Sequence, residues 1–381
     1  MLIGIEADHA NRLDRTGVEE YCWQIIQHLK KQIPLEERVV LYSRSPLIGE
    51  LGDLPSNWEN KILPWKFKKL WSQFRLSYEF LRHPPDVFFA PAQMVPLIYP
   101  KNTIVMVHDS AFMAEPKAYN FWGRQYLKWM NTKIVHRAKL VVTSTEFNKK
   151  EMLKYYSVEE AKIEVVPLAY DDSRFKLPPS EENANTISRK YSLRQSYLLF
   201  TGRLERKKNA SRIVRAFGIL KHNNAGNQHI NNLQLVLAGK PGVGYNEIKS
   251  AIADSFYKSD IKLLGWVDGD GLPLLMSGAA AFIFPSLYEG FGIPILEAMA
   301  CGCPVVASVG SALPEVGGDA AVYVNPLDVD DMAREIFNLV TDEAKRNKLI
   351  SNGFERVKRY SWEKTAARLA EIICNAEIAK L

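Results

Sequence analysis

The run Ala281–Ser308, AFIFPSLYEGFGIPILEAMACGCPVVAS, leaves little freedom to the fold around it. Its opening AFIFP is short and apolar throughout, the pattern of a strand buried on both faces in a parallel sheet. A loop with Glu289, Gly290, Phe291 and Gly292 follows, and Pro294 is expected at a helix's first position, where its missing amide loses no bond. The helix IPILEAMA is expected to end at Gly302, and CPVVAS to return as the next strand. This is a β–loop–α–β unit whose loop lies at the carboxyl edge of a sheet, where open α/β sheets bind ligands.

The loop's chemistry narrows the ligand. Two glycines let backbone amides approach closely, and a helix N-terminus carries partial positive charge suited to phosphate. Glu289 and Glu297 stand beside it with seven residues between them. A carboxylate next to phosphate is unfavourable unless it points at hydroxyls, and phosphate flanked by hydroxyl-bearing groups describes a nucleotide sugar. A glycine turn with two solvated glutamates fits the same residues, and the loop alone leaves both readings open. Taken whole, EGFGIPILEAMACGCPVVAS resembles the Glu-x7-Glu signature of the family 4 retaining glycosyltransferases, the glycosyl transferases group 1. That resemblance implies the GT-B fold, two Rossmann-like α/β domains facing each other across a deep cleft.

A length of 381 residues suits two domains, and 47% hydrophobic with 24% charged residues is a globular composition. The expected division is a first domain over 1–175, a polar linker over 176–190 (LPPSEENANTIS within it) and a second domain over 191–361. The resemblance implies that a last helix, about 362–381, crosses back onto the first domain. No apolar run reaches membrane-spanning length, and MLIGIEAD reads as a first strand rather than a signal peptide. Four cysteines imply no disulfide framework, and Cys301 and Cys303 read as buried thiols rather than a metal pair. A cytoplasmic location follows, extended to the inner face of the membrane if basic segments touch lipid. The net charge of +6 agrees with acidic substrates or an anionic membrane face.

In the first half, RTGVEEY opens a helix and resembles the family's first glycine loop, which implies that backbone near Gly17 approaches the donor diphosphate. DVFFAPAQ and TIVMVHDS read as buried strands, the second ending in His108 and Asp109 at the carboxyl edge. A lone histidine is ordinarily structural. The resemblance of HDSAFMAEP implies that His108 lies close to the donor sugar. Two segments, NKILPWKFKKLWSQFRLSYEFLRH and FWGRQYLKWMNTKIVHRA, mix cations with aromatic residues. For the first, packing of its aromatic face on the sheet is preferred over contact with anionic lipid. No nucleic-acid module accompanies either. Leu168-Ala169 stands where the family has Asn-Gly, so no role is assigned there.

In the second half, the strand YLLFTG delivers Arg203, with Lys208 in the loop beyond. Two cations at the lip of a parallel strand suit a diphosphate leaving group. Gly202–Asn209 resembles the family's G-R-x-x-x-x-K-N motif. KHNNAGNQHINN, 221–232, reads as an exposed loop. Gly239–Gly244 lacks the spacing of a dinucleotide fingerprint, which argues against nicotinamide chemistry. The resemblance places the nucleotide base against the loop of Gly265, Trp266 and Val267, although Trp266 fits simple packing equally well.

The implied reaction is transfer of a hexose, mannose favoured, from a nucleotide sugar to a hydroxyl of a glycan or lipid-linked acceptor, with retention at the anomeric carbon. GDP-mannose is the favoured donor, and UDP-sugars remain open. Arg203, Lys208 and the backbone of Gly17, Phe291, Gly292 and Ile293 are expected at the diphosphate. Glu297 is expected at the ribose, Trp266 and Val267 at the base, and Glu289 and His108 at the reacting sugar. No cofactor is expected; these cations make a metal unnecessary, and no Asp-x-Asp motif to hold one is expected. A sugar-nucleotide epimerase, a phosphorylase or a non-catalytic nucleotide-sugar binder are the alternatives.

Overall fold

The computed structural model describes residues 1–15, 17–67, 70–116, 120–178, 187 and 189–376. The chain forms two compact units. The first comprises Met1–Met113, Asn120–Leu168 and Ser361–Leu381, and the second Ala114–Tyr119 and Ala169–Tyr360. Most of the linker expected at 176–190, namely residues 179–186 and 188, lies outside the described residues, as do 377–381 of the last helix.

The first unit is built on β1 (Leu2–Glu6), β2 (Arg38–Ser43), β3 (Trp58–Ile62), β4 (Val87–Ala90), β5 (Thr103–Met106), β6 (Leu140–Thr143) and β7 (Ile163–Val165). These pair in parallel in the order β3-β2-β1-β4-β5-β6-β7. The central strands VFFA and TIVM are buried on both faces, as parallel strands covered by helices on either side must be. The helix Val18–Gln32 covers part of the sheet, and Trp362–Asn375 packs on that helix through Trp362 and Tyr21, with ring centroids 5.9 Å apart.

The second unit carries β8 (Tyr197–Thr201), β9 (Gln234–Ala238), β10 (Ile261–Gly265), β11 (Ala281–Phe284), β12 (Val305–Ser308) and β13 (Ala321–Val324), again all parallel. Their order is β10-β9-β8-β11-β12-β13. The order reverses between β8 and β11, which makes their carboxyl ends a topological switch point. In such sheets the crevice for a ligand opens there, because the flanking connections leave in opposite directions.

Two local expectations change. The helix after Gly292 starts at Ile293, so Pro294 occupies its second position, still inside the turn whose amides have no helical partner. Residues 221–232 are largely exposed, as expected, but they are not simply a loop. The helix Ala210–Asn223 runs into them and Gln228–Asn232 forms a further turn with Ile230 buried. Some of the polar side chains that suggested a loop have internal partners. Lys221 is buried, donating to the Asn231 carbonyl at 2.6 Å and pairing with Asp260 at 2.8 Å, while Asn227 caps the turn through the amides of His229 and Ile230. Although burial raises the Asp260 carboxyl, Lys221 and Arg194 together hold it below its ordinary range.

Candidate active site

At the switch point β8 and β11 are direct neighbours, with Leu198 beside Ala281 and Leu199 beside Phe282. Each sends a loop over the carboxyl edge. The β8 loop ends in a short turn, Arg206–Lys208, and then Asn209 adopts the left-handed conformation at φ +64°, which asparagine tolerates better than most side chains. That geometry buries the Asn209 amide, whose Nδ2 donates to the carbonyls of Pro285 at 3.0 Å and Pro326 at 2.7 Å. The two loops are therefore clamped together. The final asparagine of the G-R-x-x-x-x-K-N pattern thus acts as a strut between loops, a role its position in the motif did not reveal.

The clamp brings Lys208 and Glu289 into contact, Nζ donating to Oε1 at 2.6 Å. Only 10% of the Glu289 side chain and 17% of the Lys208 side chain are exposed. Burial pushes the Glu289 carboxyl up, but Lys208 and Lys207 outweigh it and hold the group below the usual carboxylate range. It is therefore ionised at neutral pH. Arg203, just past β8, is exposed and has no carboxylate partner among the described residues.

Past Glu289, Gly292 takes φ +103°, and a Cβ there would run into Leu313 Cδ2. Only glycine fits, and its conformation turns the first amides of the helix Ile293–Ala300 toward the sheet edge. Phe291 is buried edge-on against Tyr360, centroids 5.6 Å apart, which fixes the loop from beneath. The far end of the helix closes in a Schellman motif. Cys303 N bonds Ala298 O at 2.9 Å and Gly302 N bonds Met299 O at 3.0 Å, with Gly302 at φ +71°. Cys301 and Cys303 in that corner are buried, and burial pushes the Cys301 thiol up to about 12. Glu297 lies half-buried one turn into the helix.

The loop after β10 lies two strand spacings from β8, about 10 Å, on the same edge. Val267 is buried there, and Trp266 is 53% exposed with Lys240 Nζ 4.4 Å from its ring. An exposed ring at this edge can offer a flat face to a planar group. Asp268-Gly269-Asp270, which does have Asp-x-Asp spacing, follows directly. Both aspartates are exposed and Asp268 lies 3.7 Å from Lys190. In the other such pair, Asp328-Val329-Asp330, Asp328 caps the helix Val329–Thr341.

Gly17 and His108 belong to the first unit. Gly17, at φ +53°, precedes the helix Val18–Gln32, and Tyr21 of that helix lies edge-on to the His108 ring at 4.7 Å. The sequence-predicted glycine loop and histidine are thus joined through one tyrosine. His108 Nε2 lies 2.8 Å from the Pro91 carbonyl. A carbonyl only accepts, so Nε2 carries the proton. Burial lowers the ring's pKa below the ordinary 6.5, with His9 adding to this against Pro91 and Asp109. A neutral ring protonated at Nε2 leaves Nδ1 as an acceptor for a hydroxyl. Glu6 and His9 are not among the residues singled out from sequence. Glu6 is fully buried at the end of β1, accepts from the Asp8 amide at 2.9 Å and lies 3.0 Å from His9 Nδ1. Its carboxylate raises the His9 pKa in spite of burial. A glutamate ending an apolar strand was the available signal.

Residues 15–174 match the sequence profile described as Glycosyltransferase Family 4, and residues 184–356 that of Glycosyl transferases group 1. The chain is 26% identical over 368 residues to the O-antigen chain mannosyltransferase B of Escherichia coli, covering 91% of this chain and 93% of that protein. In structure it resembles sucrose-phosphate synthase from Thermosynechococcus elongatus, with a TM-score of 0.78 and 17% identity over the whole of both chains. It also resembles Anabaena HepE, solved with UDP and glucose, with a TM-score of 0.74 and 17% identity over 98% of this chain and 99% of that one. Among the described residues no helix is long and apolar enough to cross a membrane.

Proposed function

The chain belongs to the family 4 glycosyltransferases, glycosyl transferases group 1, and from that membership we propose that it transfers a mannosyl group from GDP-mannose to a glycan or lipid-linked hydroxyl. The proposed transfer retains configuration and needs no metal. The observation that carries this reading is the Lys208–Glu289 pair at the β8/β11 switch point. It joins a cation suited to a leaving diphosphate with a carboxylate suited to a sugar that becomes cationic.

The proposed chemistry follows from those charges. The bond between the anomeric carbon and the phosphate oxygen breaks, and its electron pair leaves on the diphosphate. Arg203, Lys208 and the amides at Phe291, Gly292 and Ile293 stabilise that developing charge. The Glu289 carboxylate faces the positive charge on the sugar. The acceptor oxygen bonds on the face that the phosphate leaves, and its proton passes to the departing phosphate oxygen. Glu297 takes the ribose hydroxyls, the Trp266–Val267 loop takes the base, and His108 Nδ1 accepts from a sugar hydroxyl. Because no step requires a covalent nucleophile, Glu289 need not leave its lysine to attack.

The mannosyl reading is supported by the relative named as an O-antigen chain mannosyltransferase. A UDP-sugar is the second reading, favoured by the structural likeness to a protein solved with UDP and glucose. The acceptor is met on the cytoplasmic side, and a lipid-linked acceptor would be presented at an anionic membrane face. The test is a panel of nucleotide sugars assayed for thermal stabilisation and slow hydrolysis, with and without EDTA. GDP-mannose at one hundred times its Kd should stabilise the protein by about 2.7 kcal/mol, and EDTA should leave turnover unchanged. Stabilisation by UDP-glucose alone would exchange the donor, loss of turnover in EDTA would reject metal independence, and binding without turnover under any acceptor would reject the transferase.

A further inference from the structure

The first unit exposes a band of aromatic and aliphatic side chains, and we propose that this band is a docking face for an anionic lipid bilayer, centred on Trp122, Tyr126 and Trp129. It deepens the proposed function, which supplies a lipid-linked acceptor as the reason for such contact.

The helix Phe121–Arg137 has apolar residues on two opposite sides. Met130, Ile134 and Val135 are buried against the unit. Trp122, Tyr126 and Trp129, followed by Lys133, recur at the spacing of a second stripe and face solvent, with Trp122 81% and Trp129 48% exposed. Propensity alone gives a helix no reason to hold two tryptophans in water, and burying such rings is worth more than burying most side chains. Among the described residues the helix accordingly packs on the unit along one side and stands exposed along the other.

Two segments linked to this helix expose further apolar side chains. Gln93 Nε2 donates to Asn131 Oδ1 at 2.5 Å, and Arg137 stacks 4.7 Å over Tyr99, which docks the loop after β4 along the helix. That loop exposes Leu97 and Ile98, whose amides both donate to Ser77 Oγ, at 2.8 and 3.2 Å. Ser77 opens the helix Ser77–Arg82, which exposes Tyr78 and Leu81 in turn. Packing on the sheet, the reading preferred from sequence for this region, accounts for Trp71, Leu76 and Phe80 but not for those two.

Charge identifies the occupant. Residues 120–139 contain Arg124, Lys128, Lys133, Arg137 and Lys139 and no aspartate or glutamate, and residues 93–101 contain Lys101 and no acid. The one carboxylate in the third segment, Glu79, is buried between Lys61 at 2.6 Å and Arg75 at 3.2 Å. Lys133 Nζ sits 4.0 Å over Trp129, and Arg82 stacks 4.7 Å over Tyr78. Exposed rings with cations beside them match the level of lipid headgroups, where apolar body and charged tip are both satisfied. A second copy of the chain is a poor match, since a twofold contact would set these cations against one another.

The test is flotation of the full chain, without donor, on vesicles of phosphatidylcholine alone and with about one-third phosphatidylglycerol. Binding should be at least about tenfold stronger to the anionic vesicles and fall with salt as screening sets in. Trp122→Ala/Trp129→Ala and Lys128→Gln/Lys133→Gln should each weaken it about tenfold or more, with the thermal midpoint and the response to nucleotide sugar retained. Equal binding to neutral and anionic vesicles, or full binding by both variants, overturns the proposal. So does self-association that the tryptophan variant abolishes in a protein that ignores vesicles. Vesicle binding by a protein that transfers nothing to any acceptor supports the docking face and counts only against the proposed function.

Discussion

Lys208 and Glu289 lie 81 positions apart in the chain and 2.6 Å apart in space. Each neutralises the other where water is largely excluded, so removing one leaves a buried charge without its counter-charge. Lys208→Ala should cost about 3 kcal/mol of stability, and adding Glu289→Gln to it should restore part of that loss. Turnover should fall at least about a hundredfold in Lys208→Ala and in Glu289→Ala, the scale of one lost electrostatic stabiliser. A double-mutant cycle in denaturant, run beside steady-state kinetics, measures both. The pair also carries an acid limb. The folded-state pKa of Glu289 is depressed, so its contribution is complete above the ordinary 4.5 and disappears as pH falls through the lower folded value. Glu289→Gln should therefore flatten the decline of the melting midpoint in acid, and an unchanged slope would show that the ion pair contributes nothing there. Both residues stand out in the sequence, one from its motif and one from its loop. Their contact was not, because it depends on β8 and β11 being neighbours, and no local pattern states which strands a sheet places side by side.

The helix Ile293–Ala300 was the most legible element in the chain. Its apolar strand, glycine loop and closing glycine are all local signals, and only the first position was displaced, by one residue. Residues 221–232 failed for the converse reason. Their polar composition reads as loop, yet a buried lysine with an aspartate and a carbonyl to bind is as well satisfied as one in water. At the level of the element, the glycine before the helix is the point to test. Gly292→Ala forces a side chain into a left-handed conformation and against Leu313. A cost of about 1–3 kcal/mol is expected from the backbone alone. The larger consequence is displacement of the helix N-terminus, so calorimetry should find nucleoside diphosphate binding weakened about tenfold or more, the scale of one or two dipole contacts. Gly310→Ala is the control, since a Cβ there meets nothing and its φ is ordinary. Equal binding by the two variants would show that the amides after Gly292 are not part of the site.

At the scale of the whole molecule, the first unit is assembled from both ends of the chain. Residues 1–113 and 120–168 supply its sheet, and the chain then runs through Ala169–Tyr360 of the second unit before Ser361 returns. Nothing within residues 362–375 names the unit they join; an amphipathic helix announces a buried face but not the surface that receives it. In the structure, Trp362 packs on Tyr21, Thr365 Oγ1 donates to the Pro167 carbonyl at 2.7 Å, and Lys139 donates to the Ala376 carbonyl. Tyr21 in turn stands edge-on to His108. A buried tyrosine thus lies between the last helix and the histidine assigned to the sugar. Trp362→Ala removes a large buried ring and should cost about 3–5 kcal/mol. Because the loss falls within the first unit, hydrogen exchange should quicken in Val18–Gln32 while the amides of β8–β13 stay protected. The kinetic consequence separates the two units' duties. Nucleoside diphosphate affinity, which is proposed to reside in the loops after β8 and β11, should be retained, while turnover falls as His108 loses the packing that fixes its ring. Loss of nucleotide affinity in step with turnover would show instead that Trp362 supports the whole chain without preference, and that the tyrosine contact has no part in orienting the histidine.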